Sequence, residues 1–264
     1  MEIILDPNKN AYENANAYFE NSKKMKKKLE DTRKAIEETK KEIEKEKQMQ
    51  ETKRQQKEKK VQIVQNKEKK EWYEQYHWFF TSDKLLAVGG KNAGQNEELV
   101  KRKFFENDLF FHADIKGASV VILKEGKSAG EKSKEETAQF AACYSTAWKA
   151  GYSIVDVYYV TKDQVSKSPP PGEYLEKGSF FISGKKNYFR SIPLRLFIGI
   201  TKEGKLLCVP EKYGEEVFKT YYLIEPGKYS KEIVVEKISR QLNAGKEEIE
   251  KLIPAGNTSF TRMR

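Results

Sequence analysis

Cysteine and histidine are scarce in this sequence: two of each among 264 residues, Cys143, Cys208, His77 and His112. The cysteines lie far apart, each within an apolar run, with no CxxC pair. They therefore read as buried thiols in a reducing compartment and not as a disulfide frame. Two lone histidines encode no four-ligand metal site, and no cofactor is expected. No apolar run approaches the ~20 residues of a membrane span and no signal peptide is legible, so a soluble, cytoplasmic chain without a membrane partner is expected. Proline and glycine are missing altogether from Ala11 to Trp78, and nothing in that stretch stops a helix.

At ~1.5 Å per residue that stretch makes a rod on the order of 100 Å long. Its seam follows alternating steps of three and four residues: Ala15, Tyr18, Ser22, Met25, Leu29, Thr32, Ile36, Thr39, Ile43, Glu46. A helix this polar cannot bury itself in a globule and calls for a partner helix along a narrow seam, which makes it one strand of a coiled coil. The partner helix is expected upstream of a chain that reads as a fragment, so the isolated chain is expected to self-associate, as an antiparallel pair. Between Gln50 and Lys60 the seam dissolves into Gln, Lys, Glu and Arg; a kink, a loosened coil or a hairpin tip would fit, and one continuous helix is the reading adopted. The dense aromatic patch Trp72, Tyr73, Tyr76 and Trp78 is expected to pack the root of the rod onto the following module, with base stacking as the alternative.

Charged residues make up 34% of the chain and sum to +10. From Glu20 to Glu71, 19 Lys/Arg stand against 12 Asp/Glu, so +7 of that excess belongs to the rod. Surface pairing of Glu with Lys accounts for such a composition. Contact with a polyanion, which releases counterions for each phosphate neutralised, accounts for it equally.

After Trp78 the periodicity changes from helix to strand. Strands are expected at Trp78–Thr81, Leu85–Val88, Leu109–His112, Ala118–Leu123, Ile154–Thr161, Phe180–Ile182, Leu194–Thr201, Leu206–Val209 and Lys219–Ile224. Helices are expected over Asn92–Lys103, Glu135–Ala150, Ser230–Leu242 and Lys246–Leu252, with a loose tail after Pro254. The three consecutive prolines within Val165–Gly172 make an extended, rigid loop. The fold class is α+β: a long N-terminal coiled-coil helix followed by a compact mixed domain with a mostly antiparallel sheet.

Polar residues cluster in three stretches. Gly89-Gly90-Lys91-Asn92-Ala93-Gly94-Gln95-Asn96-Glu97 is a glycine-rich turn into a helix, whose free amides suit phosphate oxygens. It has neither Walker nor dinucleotide spacing, and a tight turn with Asn and Gln bonding local backbone explains it equally. In Asp108-Leu109-Phe110-Phe111-His112-Ala113-Asp114-Ile115-Lys116-Gly117, His112 and Asp114 share one strand face, so the Asp could orient the imidazole as a base. No Ser or Cys nucleophile is placed beside them, and a structural histidine is the plainer reading. The third stretch runs from Gln164 to Arg190, where Lys167, Lys185, Lys186 and Arg190 interleave with Tyr188 and Phe189. That mixture suits a folded RNA backbone with splayed bases, or is simply a solvated loop.

In order, WYEQYHWFFTSD, GGKNAGQNE, DLFFHADIKGA and VSKSPPPGEYLEKGSFFISGKKNY resemble the NFACT-R domain of the NFACT family of ribosome-associated quality-control factors. The resemblance extends upstream, where LDPNKNAYENANAYFENSKK is similar to the start of the family's second coiled-coil strand. It implies binding to a large ribosomal subunit still carrying peptidyl-tRNA, engagement of rRNA and tRNA, and support for untemplated C-terminal tailing of the stalled chain. The family's tail-synthesis residues lie in an N-terminal domain outside this sequence, so the resemblance carries over no catalytic residue and implies a binding module, not an enzyme. The organisation expected is an arm at 1–10, the coiled-coil helix at 11–78 and an NFACT-R-like domain at 79–264. The RNA-contacting residues expected are Lys91, Asn92, Gln95, Asn96, His112, Asp114, Lys116, Lys167, Lys185, Lys186, Asn187 and Arg190. A scaffold whose coil docks a ribosome-associated protein is the alternative.

Overall fold

The computed structural model describes residues 4–65, 71–168 and 175–263; the proline run Pro169–Pro171 lies outside them. The chain forms two units, residues 1–70 and 71–264. The first is helix α1 (Ala11–Gln65), continuous through 50–60. Asn10 caps it: its Oδ1 accepts from the Glu13 N–H at 2.9 Å while Glu13 Oε2 accepts from the Asn10 N–H at 3.0 Å, a capping box. Glu30–Lys34 and Glu37–Lys41 pair at 3.6 Å one turn apart, each worth about 0.2–0.5 kcal/mol. Along the expected seam Tyr18, Met25, Leu29 and Ile36 are exposed.

The helix expected to reach Trp78 does not. Trp72–Gln75 form turns and His77 already opens a strand. Three-residue turn bonds, Glu74 N–H to Glu71 C=O and Tyr76 N–H to Tyr73 C=O, replace helical ones. They let Trp72, Tyr73, Tyr76 and Trp78 join one apolar cluster with Val88, Leu99 and Phe110, and burial of large rings outweighs helix propensity. The patch packs onto the module's core, as expected.

In the second unit the elements run β1 (His77–Phe80), β2 (Leu86–Gly89), α2 (Ala93–Arg102), β3 (Leu109–Ala113), β4 (Val120–Leu123), α3 (Glu131–Cys143), α4 (Thr146–Lys149), β5 (Ile154–Val160), β6 (Val165–Ser166), β7 (Phe181–Ile182), β8 (Asn187–Pro193), β9 (Leu196–Thr201), β10 (Leu206–Pro210), β11 (Phe218–Tyr229), α5 (Lys231–Leu242), α6 (Lys246–Leu252) and β12 (Thr258–Arg262). A six-stranded sheet has the order β1-β2-β4-β3-β5-β8, a four-stranded sheet the order β10-β9-β11-β12, and β6 pairs with β7. Every described pairing is antiparallel.

The six-stranded sheet is covered on both faces. Leu109, Phe111, Ala113, Val121 and Leu123 point to a large core shared with α3 and the second sheet. Phe110, Val120, Ile122 and Tyr158 point to a smaller core under α2 and the aromatic turn. Double coverage explains why β4 reads as an unbroken apolar run instead of alternating. Helix α3 is buried almost all round: Ala138, Phe140, Ala141, Ala142 and Cys143 are each 1% exposed or less. Its buried Gln139 donates to the Pro193 carbonyl at 3.1 Å and accepts from the Lys212 N–H at 2.8 Å, tying the two sheets together.

Three further expectations needed correction. The helix expected over Glu135–Ala150 breaks at Tyr144–Ser145, where the Ser145 side chain caps α4. The tail expected to be loose after Pro254 supplies β12, which pairs along β11. The 187–193 segment, not read as a strand, is the edge strand β8.

His77 stacks on Tyr144 with ring centroids 4.0 Å apart, and burial, helped by Lys91 and Lys231, pushes its pKa down to about 3. The unfolded chain then binds the extra proton between pH ~6.5 and about 3. Stability is therefore full at neutral pH and falls through that window as pH drops, by on the order of 1 kcal/mol per unit from this group. In denaturant titrations at stepped pH, His77→Phe should keep the stack and flatten this part of the acid limb; an unchanged slope would refute the assignment.

Candidate nucleic-acid interface

On the smaller-core face of the six-stranded sheet, the ends of β3 and β5, the start of α2 and the 116–119 and 176–182 segments enclose a cavity of about 350 Å³. Phe110, His112 and Tyr158 give it an aromatic floor. Lys91, Asn92 and Asn96 line it from the start of α2, Lys116 and Ser119 from the β3–β4 connection, and Lys177 and Phe180 from the covering 176–182 segment.

The glycine-rich turn shapes the α2 side by hydrogen bonding. Asn92 caps α2, its Oδ1 accepting from the Gln95 N–H at 3.0 Å, and Gln95 Oε1 accepts from the Lys91 N–H at 2.9 Å. Asn96 is buried and its Oδ1 accepts from the Val120 N–H at 3.3 Å, pinning α2 to β4. A side chain at Gly90 would put its Cβ 2.1 Å from that oxygen, so the approach requires glycine. Glu97 accepts from the Gly178 N–H at 3.1 Å and pairs with Lys167 at 3.1 Å, fastening the cover to α2. Those contacts, the backbone bond first, hold the Glu97 carboxyl below its usual range.

His112 is flanked by Phe110 at 6.2 Å and Tyr158 at 5.7 Å. Burial lowers its pKa, so the ring is neutral at pH 7. Its Nδ1 is buried without a hydrogen-bond partner among the described residues. Asp114 instead takes the Tyr188 hydroxyl at 3.2 Å, with Lys186 4.0 Å away. Among the described residues no hydrogen bond joins His112 to Asp114, so the pair does not form an oriented base.

Next to the cavity, the β5–β8 edge carries a ladder of cations over rings. Lys186 sits 4.1 Å above Tyr158, and Arg190 lies 3.9 Å above Tyr188 while pairing with Asp156 at 2.6 Å. The Ser191 N–H bond to Asp156 and the Arg190 pair lower the Asp156 pKa. The desolvated Tyr158 hydroxyl is pushed up, with Asp114 adding to the effect.

Of the residues singled out from the sequence, Lys91, Asn92, Asn96, His112 and Lys116 line the cavity, and Asp114, Lys186 and Arg190 form the adjoining ladder. Lys185 and Asn187 are exposed beside it. Gln95 serves the turn, and Lys167 braces Glu97 while facing Phe180 at 5.8 Å. Sequence reasoning missed Tyr158, Ser119 and Lys177. It also missed Lys231 and Lys251, whose charges add to burial in lowering the Lys91 pKa. Tyr158 had the only usable signal, as a polar-tipped ring within an apolar strand. Among the described residues no group of three His, Cys, Asp or Glu is placed to hold a metal ion.

One comparison with known protein families falls on this region. Residues 75–184, which contain most of the cavity, match the family described as NFACT protein RNA binding domain. The chain belongs to the NFACT family. The archaeal Rqc2 homologue aRqcH of Methanocaldococcus jannaschii is 37% identical over 98% of this chain and 40% of its own length. The ribosome quality control complex subunit NEMF homologue of Drosophila melanogaster is 33% identical over 75% of this chain and 20% of its own. Human ribosome quality control complex subunit NEMF is 38% identical over 59% of this chain and 14% of its own. The NFACT chain described here thus spans well under half the length of these relatives.

Proposed function

We propose that this NFACT chain is the RNA-binding part of a cytoplasmic ribosome quality-control factor. It would engage the large ribosomal subunit carrying stalled peptidyl-tRNA, together with tRNA, in support of C-terminal tailing of the stalled nascent chain. The observation that carries the reading is the lysine-rimmed, ring-floored cavity and its flanking Lys186–Tyr158 and Arg190–Tyr188 contacts, lying in and beside the segment that matches an RNA-binding domain. The names of the relatives supply the ribosomal setting. Exposed cations take phosphate oxygens, rings take unstacked bases, and no catalytic step is assigned to the chain. The test is crosslinking of the full chain to isolated large subunits and to tRNA. Crosslinks should concentrate on the 91–119 and 176–190 segments and disappear as salt is raised. Crosslinks confined to α1 would overturn the reading.

Helix α1 supports a second role as one strand of a coiled coil, because Met25, Leu29 and Ile36 remain exposed on a single seam. The isolated chain should associate with itself through that seam as an antiparallel pair. Light scattering should show a dimer that Leu29→Lys with Ile36→Lys converts to monomer; a wild-type monomer at high concentration would exclude the pairing. Removing residues 1–70 should leave RNA binding intact if the domain carries it and abolish complex formation if the chain is a scaffold.

A further inference from the structure

We propose that the cavity beneath the 176–182 segment is a single-nucleotide pocket: it takes one base flipped out of an RNA strand, with the attached phosphate held at its lysine rim. The proposal rests on the RNA-binding reading above and names what the site recognises.

Its volume, about 350 Å³, lies near the lower end of the ~300–1,000 Å³ typical of small-ligand sites, and is suited to one nucleotide rather than a duplex. The floor of Phe110, His112 and Tyr158 presents flat apolar surface, with Phe180 edge-on to Phe110 at 6.0 Å. A base offers every such surface a π-face to lie against. Among the described residues, His112 Nδ1 is a buried polar atom with no hydrogen-bond partner. Buried polar atoms are normally satisfied, so an unsatisfied one on a ring that lines the cavity can gain its missing partner from a ligand's polar edge once the ring shifts. Among the described residues, Lys91, Lys116 and Lys177 line the same cavity against one acid, Glu176, which Lys116 already meets at 3.5 Å. The net positive rim selects an anionic tail. Flat faces, a polar edge and an anionic tail together describe a nucleotide. A peptide would leave either the rim or the ring floor unmatched.

The walls are built to stay open for such a ligand. Asn92 and Asn96 are held by bonds within the turn and to β4. Gly178 has φ +82°, and a side chain there would put its Cβ 2.6 Å from Ala93 Cβ, so the cover approaches α2 as closely as it does only with glycine.

The test uses the full chain, with adenosine, guanosine, cytidine and uridine 5′-monophosphates as probes and ribose 5-phosphate as the base-free control, read by calorimetry and by the His112 ring resonances. At least one mononucleotide should bind about fivefold or more tightly than ribose 5-phosphate, and its binding should move the His112 Nδ1 resonance. Ser119→Trp, which fills the cavity from its wall, should abolish this binding, and His112→Leu should weaken it by about threefold or more. Thermal melting verifies that both variants fold, and either variant is sufficient to decide. Equal binding of ribose 5-phosphate, or mononucleotide binding unaffected by the folded variant, overturns the pocket. Salt-sensitive binding of a short single-stranded RNA without any mononucleotide binding also overturns the pocket and leaves the RNA-binding reading standing. Failure to bind either ligand removes both.

Discussion

Replacing Lys185 and Lys186 together by glutamate should lower RNA affinity by about 10- to 100-fold at moderate salt and reduce the slope of log affinity against log salt by about 2. Lys185 is exposed, free to meet a phosphate without moving anything else. Lys186 is more constrained, 4.0 Å from Asp114 and 4.1 Å above the Tyr158 ring. A glutamate there both removes a phosphate contact and faces Asp114, so charge reversal costs more than neutralisation. Lys185→Gln with Lys186→Gln, which keeps side-chain length but removes the charge, should retain roughly half the effect on a logarithmic scale. Filter binding or fluorescence anisotropy against salt decides it. If the reversed protein binds with unchanged affinity and slope, the β8 edge is not part of the interface.

Trp148→Ala should produce the largest loss of stability. The indole is fully buried, and its Nε1 donates to Thr258 Oγ1 at 3.1 Å, itself buried, joining α4 to the last strand. Truncation removes the apolar contacts, opens a cavity and leaves the Thr258 hydroxyl short of its donor. Large-to-small changes of this kind cost about 3–5 kcal/mol, a large part of the ~5–15 kcal/mol by which domains are stable. Chemical denaturation should show a lower midpoint. Trp148→Phe should recover the packing but not the hydrogen bond, and fall in between. A melting curve for Trp148→Ala close to wild type would mean that β12 does not depend on this contact.

The elements most legible in the sequence were those in which local chemistry and packing agree. Helix α1 has no residue that can stop it. Strands β3, β4 and β5 are rich in β-branched and aromatic residues because both faces of the sheet are covered. Where local and tertiary preferences conflict, sequence reasoning failed in a consistent direction. Trp72–Tyr76 have helical neighbours upstream, but burying their rings bends the chain into turns. Residues 258–262 have the composition of a loose tail, yet the open edge of β11 offers them backbone partners. Strand β8 escaped notice because Asn187, Arg190 and Ser191 are exposed on a sheet edge, where no alternation of apolar residues is required. Gln95 and Asn96 were expected to contact RNA; their side chains hold the turn and the α2–β4 contact instead of projecting from the surface.

The order of residues alone specifies a long polar helix joined to an α+β module, and four ordered motifs mark the NFACT family. These depend on near-neighbour information: the absence of helix breakers, the alternation of side chains, and residue types in a row. Which motif residues share a surface is set by three-dimensional packing. His112, Tyr158 and Phe180 are far apart in the chain and meet because β3 and β5 pair in one register while the 176–182 segment folds over them. Register and layer packing arise from burial summed over the whole module, a quantity no single stretch of sequence contains.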